Sequence, residues 1–120
     1  GFYEYPANET KHLWSDLHKY FPLSDNPLSQ KEMIDRFYFS QAIETVRCYE
    51  EGVLNSVAEA NIGSIFGWGF PLFKGGTLQF INDYGLKSFR DRAKDLSKKY
   101  GKRFFPPKLI DQKIEEGQDF

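Results

Sequence analysis

Few side chains in this sequence are of the types that carry out chemistry, and their spacing limits each of them. His12 and His18 are six residues apart, which on a helix sets them on different sides and denies them a shared metal ion. The carboxylate pairs Glu50-Glu51 and Glu115-Glu116 fall at the ends of helical runs among solvated residues. General acid–base work needs a pocket that shifts a pKa, and nothing marks one. Cys48 lies inside a long helical run with no histidine close in sequence, so it reads as a small buried hydrophobe rather than a nucleophile. Arg90, Arg92, Lys94, Lys98 and Lys99 form the outer face of a helix, which is either a solvated surface or a seat for a phosphate-bearing ligand. No self-contained active site emerges.

The stretch Gly67-Trp68-Gly69-Phe70-Pro71-Leu72-Phe73-Lys74-Gly75-Gly76 is glycine-rich, yet it is neither a G-x-G-x-x-G turn after a strand nor a G-x-x-x-x-G-K-[ST] loop. It reads as a packing corner between two helices, anchored by Trp68, Phe70 and Phe73 and stiffened by Pro71. It does not read as a cradle for nucleotide phosphates.

The elements that would hold these residues are helical. Ser29 and Glu32 form an S-x-x-E capping box ahead of a long helix, predicted over residues 30–51 and closed by Gly52. Its apolar residues Met33, Ile34, Phe37, Phe39, Ala42, Ile43 and Val46 cover more than half the circumference, which predicts a central, mostly buried helix. A second box, Ser56 with Glu59, starts a helix carrying Val57, Ala60, Ile62, Ile65 and Phe66 that is expected to stop at Gly67. Thr77 is expected to cap the next, which Gly85 closes. A further helix runs from near Lys87 to Gly101, and a last one from Pro106-Pro107 to Gly117. Ahead of all these, Gly1 to Tyr5 reads as an extended segment laid on the domain. Leu13, Trp14, Leu17 and Tyr20-Phe21 predict a short helix that stops before Pro22. The expected fold is all-α, one domain of five or six helices around one long helix.

Composition agrees with a folded chain: 120 residues, 40% hydrophobic and 18% aromatic. With 16 basic and 17 acidic residues there is no charge bias toward nucleic acid or an anionic membrane. One cysteine excludes an intrachain disulfide and fits a reducing compartment. The opening Gly1-Phe2-Tyr3, without an initiator Met, points to a piece of a longer polypeptide.

Taken in order, Arg36 through Cys48-Tyr49-Glu50-Glu51-Gly52-Val53, Ala60-Asn61-Ile62-Gly63, Gly67-x-Gly69-Phe70-Pro71, Gly75-Gly76, Asp83-x-Gly85 and Tyr100-Gly101-x-Arg103-Phe104-x-Pro106-Pro107 form one pattern. It resembles the C-terminal helical domain of 3-hydroxyacyl-CoA dehydrogenases. More narrowly it is similar to the second of two tandem copies in multifunctional fatty-acid β-oxidation proteins, which also carry an enoyl-CoA hydratase/isomerase domain. Gly1-Phe2-Tyr3-Glu4-Tyr5 looks like the closing motif of the first copy, and Leu13-Trp14 with Phe21-Pro22 like the connector. The resemblance thus implies a tail and connector over 1–28 and the second-copy domain over 29–120, with a 6-phosphogluconate dehydrogenase C-terminal-like fold. Its motif positions here are Arg36, Glu51, Gly52, Gly67, Gly69, Pro71, Gly75, Gly76, Asp83 and Gly85.

In that family a Rossmann domain binds NAD and supplies a His/Glu pair and a Ser, and an Asn ahead of an Arg at the start of this long helix completes the site. The matching pair here is Asp35-Arg36. An ionised carboxylate cannot donate to a substrate carbonyl as an amide does, and it repels a developing oxyanion. The resemblance therefore implies that this copy holds no catalytic, NAD-binding or metal-binding residue of its own. It implies a scaffold for the first C-terminal copy and the Rossmann domain, in a parent that takes acyl-CoA and, in bacterial members, joins a thiolase subunit. A bacterial source implies the cytoplasm, and other sources a peroxisome or mitochondrion. Two other readings are an autonomous helical interaction module, which could self-associate, and a small acyl-CoA-binding domain built on the aromatic corner and the basic helix.

Overall fold

The computed structural model describes all 120 residues, Gly1 to Phe120. Two short antiparallel strands, β1 (Tyr3–Glu4) and β2 (His12–Leu13), precede six helices: α1 (Leu17–Tyr20), α2 (Gln30–Glu50), α3 (Val57–Trp68), α4 (Thr77–Tyr84), α5 (Leu86–Tyr100) and α6 (Lys108–Glu116). Single 3₁₀ turns at Leu72–Lys74 and Lys102–Phe104 carry the chain around its corners. The all-α expectation holds for everything that builds the core.

α2 starts where the sequence says it should. The Ser29 hydroxyl accepts the Glu32 amide at 3.2 Å, and the helix closes one residue earlier than expected, at Glu50, with Gly52 at φ +72° behind it. The box at Ser29 is only half made, because the Glu32 carboxylate leaves its own helix for α5. The Ser56 box is fuller: Ser56 accepts the Glu59 amide at 3.1 Å, and Glu59 accepts from the Asn55 amide at 2.8 Å.

The core forms where α4 lies between α2, α3 and α5. Phe39 of α2 stacks on Phe89 of α5 with centroids 4.3 Å apart, and Phe80 and Tyr84 of α4 meet that pair edge-on. Aromatic pairs of this kind add to the plain burial of their area. Ile43, Val46, Leu78, Ile81, Leu96, Phe104 and Ile110 fill the remaining space.

Several sequence expectations give way to tertiary structure. α3 does not stop at Gly67. It runs to Trp68 and ends on Gly69, whose φ of +77° lets the Gly69 and Phe70 amides fold back to Ile65 and Ser64. Of the three aromatic anchors in the corner only Phe70 is buried, while Trp68 and Phe73 are exposed. Met33, Ile34 and Phe37 on α2, and Ile62 and Phe66 on α3, are also exposed, so α2 is less enclosed than its apolar stripe implies. Thr77 does not cap α4, and its hydroxyl is buried without a partner. The acceptor comes from α3 instead. Asn61 Oδ1 takes the amides of Leu78 (2.9 Å) and Gln79 (3.1 Å), and Ser64 Oγ takes that of Thr77 (3.2 Å). Asn61 can come this close only because residue 76 is glycine: a Cβ there would sit 2.5 Å from Asn61 Cα, and its φ is +104°.

At the amino end, Gly1 to Tyr5 does not lie on the helical body. It pairs with His12–Leu13, register Tyr3 to Leu13 and Glu4 to His12, so Leu13 and Trp14 belong to a hairpin and not to the expected helix, which shrinks to Leu17–Tyr20. His12 is accordingly on a strand, 3.0 Å from Glu4 across the pair. No residue of 1–28 is buried, and its hydrogen bonds, ion pairs and aromatic contacts stay within the segment.

Candidate functional site

Two places bring functional side chains together. The first is the amino-terminal part of α2. Glu32 and Asp35, one turn apart, face α5, where Arg92 spans both of them: Nη2 is 2.8 Å from Asp35 Oδ2 and 3.2 Å from Glu32 Oε2. Lys31 donates to the same Asp35 oxygen at 3.0 Å. Lys99 (3.0 Å) and the Tyr100 hydroxyl (2.7 Å) donate to Glu32 Oε1. Carboxylates near the start of α2 also suit its dipole. Tyr100, Lys99 and Arg92, in that order, all favour ionised Glu32 and hold its carboxyl down at about 2. Arg92 is raised in return by Asp35 and Glu32, against an opposing penalty from its partial burial. Asp35 is 7% exposed and enclosed by these partners.

Arg36, next in sequence, turns to another side. Its guanidinium lies over the Tyr100 ring, 4.3 Å from the centroid. The basic face of α5 is largely neutralised. Arg90 pairs with Asp91 and Asp111, Arg92 and Lys99 with α2, and Lys98 with Asp95 at 3.5 Å. Lys94 alone of the five has no carboxylate within ion-pair distance, so little unpaired positive charge is left along this helix.

The second place is a groove of about 450 Å³ between α2 and α3. Gln41, Thr45 and Cys48 form one wall and Ala60, Gly63 and Ser64 the other, and Trp68 stands at its end with its indole N–H donated to Gln41 Oε1 at 2.8 Å. Cys48 is half-buried in this wall, not in the core. Nothing fills the space beside Gly63, where an added Cβ would meet no atom within 4 Å. Beyond the groove, α3 and the corner expose Ile62, Phe66, Leu72 and Phe73.

The remaining motif residues lie at turns, in or beside α4, and on the surface. Gly69, Gly75, Gly76 and Gly85 sit at positive φ around the corner and the α4–α5 junction. Pro71 caps the 3₁₀ turn, Asp83 accepts from the Gln79 side chain at 2.8 Å, and Glu51 and Gly67 are exposed. The amides of Gly69 and Phe70 donate to carbonyls of α3 and those of Lys74 and Gly75 to Pro71 and Leu72, so these four form no cradle for phosphate. The two strands pair with each other as a hairpin, and neither leads into a strand–turn–helix unit of the dinucleotide-binding kind. No three His, Cys, Asp or Glu side chains converge, and no helix is long and apolar enough to cross a membrane. Sequence reading missed Arg92, Tyr100 and Asn61 as organisers. Asn61 was visible only as part of a motif, and the other two pair across about sixty residues.

An all-helical domain with a paired carboxylate cluster and an open apolar flank is the class these features define. Comparison with known proteins makes it specific. No family profile matches the chain. It is 31% identical over 121 aligned residues to the fatty acid oxidation complex subunit alpha of Vibrio parahaemolyticus, taking in the whole chain and 17% of the relative. It is 35% identical over 123 residues to the Shewanella loihica protein of that name, again the whole chain and 17% of the relative. With the Vibrio cholerae protein the figures are 34% over 107 residues, 88% of this chain and 15% of the relative. The chain is homologous to one segment of the fatty acid oxidation complex alpha subunits, and spans less than a fifth of their length.

Proposed function

We propose that this chain is a non-catalytic supporting domain of a fatty-acid β-oxidation enzyme, one that oxidises 3-hydroxyacyl-CoA to 3-oxoacyl-CoA with NAD. In this reading residues 1–28 are the tail of a preceding C-terminal copy and its connector, and 29–120 are the second copy. NAD and the acyl-CoA are held by other parts of the parent, which is bacterial like the relatives, resides in the cytoplasm and associates with a thiolase subunit.

The observation that carries this is the state of Asp35. It stands where the resemblance places a catalytic Asn, and its carboxylate is committed to Arg92 and Lys31. Structural pairing of that kind supports a position that has lost its catalytic duty. The groove beside Gly63 and the exposed Ile62, Phe66, Leu72 and Phe73 supply the surface that the first copy would cover. Covering it would hold the first copy's residues in catalytic register, where small displacements are costly. The same exposed flank would serve an autonomous interaction module. Self-association of the 120-residue chain in the absence of any dehydrogenase is the sign of that second reading.

The test uses the full-length polypeptide containing this chain, assayed for NAD reduction with a 3-hydroxyacyl-CoA. Asp35→Asn is expected to leave kcat within about twofold, because the reacting groups lie elsewhere. Deleting residues 29–120 is expected to lower turnover and thermal stability together. A tenfold change in kcat from Asp35→Asn, or full turnover and stability after the deletion, would overturn the reading.

A further inference from the structure

Of the five arginines in this chain, three are paired with carboxylates: Arg47 with Glu44, Arg90 with Asp91 and Asp111, and Arg92 with Asp35 and Glu32. The other two, Arg36 and Arg103, are not within ion-pair distance of any carboxylate, and their guanidinium groups donate no hydrogen bond within the chain. They line the same pocket. It measures about 340 Å³ and lies between α2 and the Lys102–Phe104 turn, with Phe104, Met33, Phe37 and Leu28 supplying its apolar surface. We propose that this pocket binds a small organic anion, a carboxylate or phosphate carried on a short apolar stem, with Arg36 and Arg103 holding the charged head.

Both cations are held in place without being neutralised. Arg36 lies over Tyr100, and the Tyr100 hydroxyl is fixed by its bond to Glu32. The backbone at Arg103 is pinned to α2 because Arg47 Nη2 donates to the carbonyls of Arg103 and Phe105, each at 3.3 Å. Arg103 itself lies over the Phe104 ring, 5.2 Å from the centroid. A guanidinium stacked on an aromatic ring keeps the donors at its edge for a planar or tetrahedral anion, which it binds through paired hydrogen bonds. Glu32 and Asp35, on the same stretch of α2 as Arg36, are paired with Lys31, Arg92, Lys99 and Tyr100, and Glu44 is paired with Arg47. Phe104 is buried to 2% exposure while Met33 and Phe37 remain 43% and 66% exposed at the pocket, an apolar floor with an accessible mouth. A concave, largely apolar site lined by two arginines without carboxylate partners has the form of a small-ligand site, at the lower end of the usual size range. The inference is independent of the dehydrogenase reading and of the α3 flank.

The 120-residue chain would be titrated with octanoate, octyl phosphate and octan-1-ol, following backbone amide shifts. Saturable shifts at Arg36, Phe37, Arg103 and Phe104 are expected with octanoate or octyl phosphate, and the tighter of the two identifies the head group. Octan-1-ol should bind at least about tenfold more weakly, since it lacks the charge the arginines would neutralise. The Arg36→Gln/Arg103→Gln double variant should lose at least about tenfold in affinity for the anions. Arg103→Gln alone, at an exposed side chain that the fold does not need, should lose part of it. Equal binding of the alcohol, unchanged anion binding by either variant, or no saturable shift with either anion would overturn the proposal. So would the same amides responding only to an acidic peptide, which would make the pocket a protein-docking site.

Discussion

Arg92 Nη2 lies 2.8 Å from Asp35 Oδ2 and 3.2 Å from Glu32 Oε2, so a single guanidinium on α5 joins two carboxylates on one turn of α2. The two helices are thereby fixed in register at the end of the core where no aromatic stack connects them. Arg92→Ala leaves both acids facing each other with less countercharge, Asp35 nearly buried. Because the cluster retains some contact with water, the expected cost is about 1–3 kcal/mol, below that of a fully buried pair. Urea denaturation of wild type and variant would measure it, and a loss under 0.5 kcal/mol would show that Lys31 and Lys99 suffice.

Acid should act through Glu32. Its carboxyl titrates at about 2 in the folded chain against 4.5 for the free side chain, because Tyr100, Lys99 and Arg92 favour the ionised form. A depressed acid contributes stability that is complete above its unfolded pKa and is lost as pH falls toward the folded one. The melting temperature should therefore decline between about pH 4.5 and 2. Glu32→Gln should be less stable at pH 7 and show a shallower decline over that interval. Parallel pH profiles for the two proteins would assign the acid sensitivity to other carboxylates.

The α3–α4 corner should be sensitive to single atoms. Asn61→Ala removes the acceptor for two amides at the start of α4, which predicts a loss of about 1–3 kcal/mol. Gly76→Ala should cost at least as much, through both the positive φ and the approach to Asn61. Thr77→Val, by contrast, removes a hydroxyl that has no partner and should be neutral or stabilising. Thermal melts of the three variants give the order directly.

Gly63 separates folding from docking. It lies within α3 with free space beside it, so Gly63→Ala should stabilise the isolated chain by roughly 0.5–1 kcal/mol through helix propensity. Gly63→Trp would fill the groove between α2 and α3. In the full-length parent it should lower turnover while leaving the isolated chain folded by circular dichroism. Unaltered turnover with Gly63→Trp would move the supporting surface away from this groove.

The parts of the fold that could be read from sequence are those set by neighbours a few residues away. Ser29, Gly52, Ser56, Gly101 and Gly117 bound their helices because capping is a local exchange of hydrogen bonds. Glu32 looked like the second half of a capping box, but Lys99 and Tyr100 on α5 compete for it more strongly, and that competition is invisible along the chain. The same holds for α4, capped by Asn61 from sixteen residues before the helix begins while the adjacent Thr77 is left unpartnered. Leu13 and Trp14 fit a helical spacing equally well, and only pairing with Tyr3 and Phe2 decides for a strand. Apolar periodicity on α3 correctly indicated a helix, yet it could not tell residues that face the core from Ile62 and Phe66, which face outward. For the site, Asp35 was singled out from a motif, while the reason for its seclusion, Arg92, lies 57 residues away.

The hairpin makes the molecule long: 57 × 32 × 23 Å, with a radius of gyration of 17.8 Å against the 13–14 Å or so of a compact chain this size. The two tryptophans fall on either side of that division, Trp14 stacked on Tyr20 in the hairpin and Trp68 bonded to Gln41 on the helical body. Each part of the molecule thus carries its own fluorophore. Replacing either indole with phenylalanine would let emission follow the hairpin and the helical body one at a time through a single denaturation.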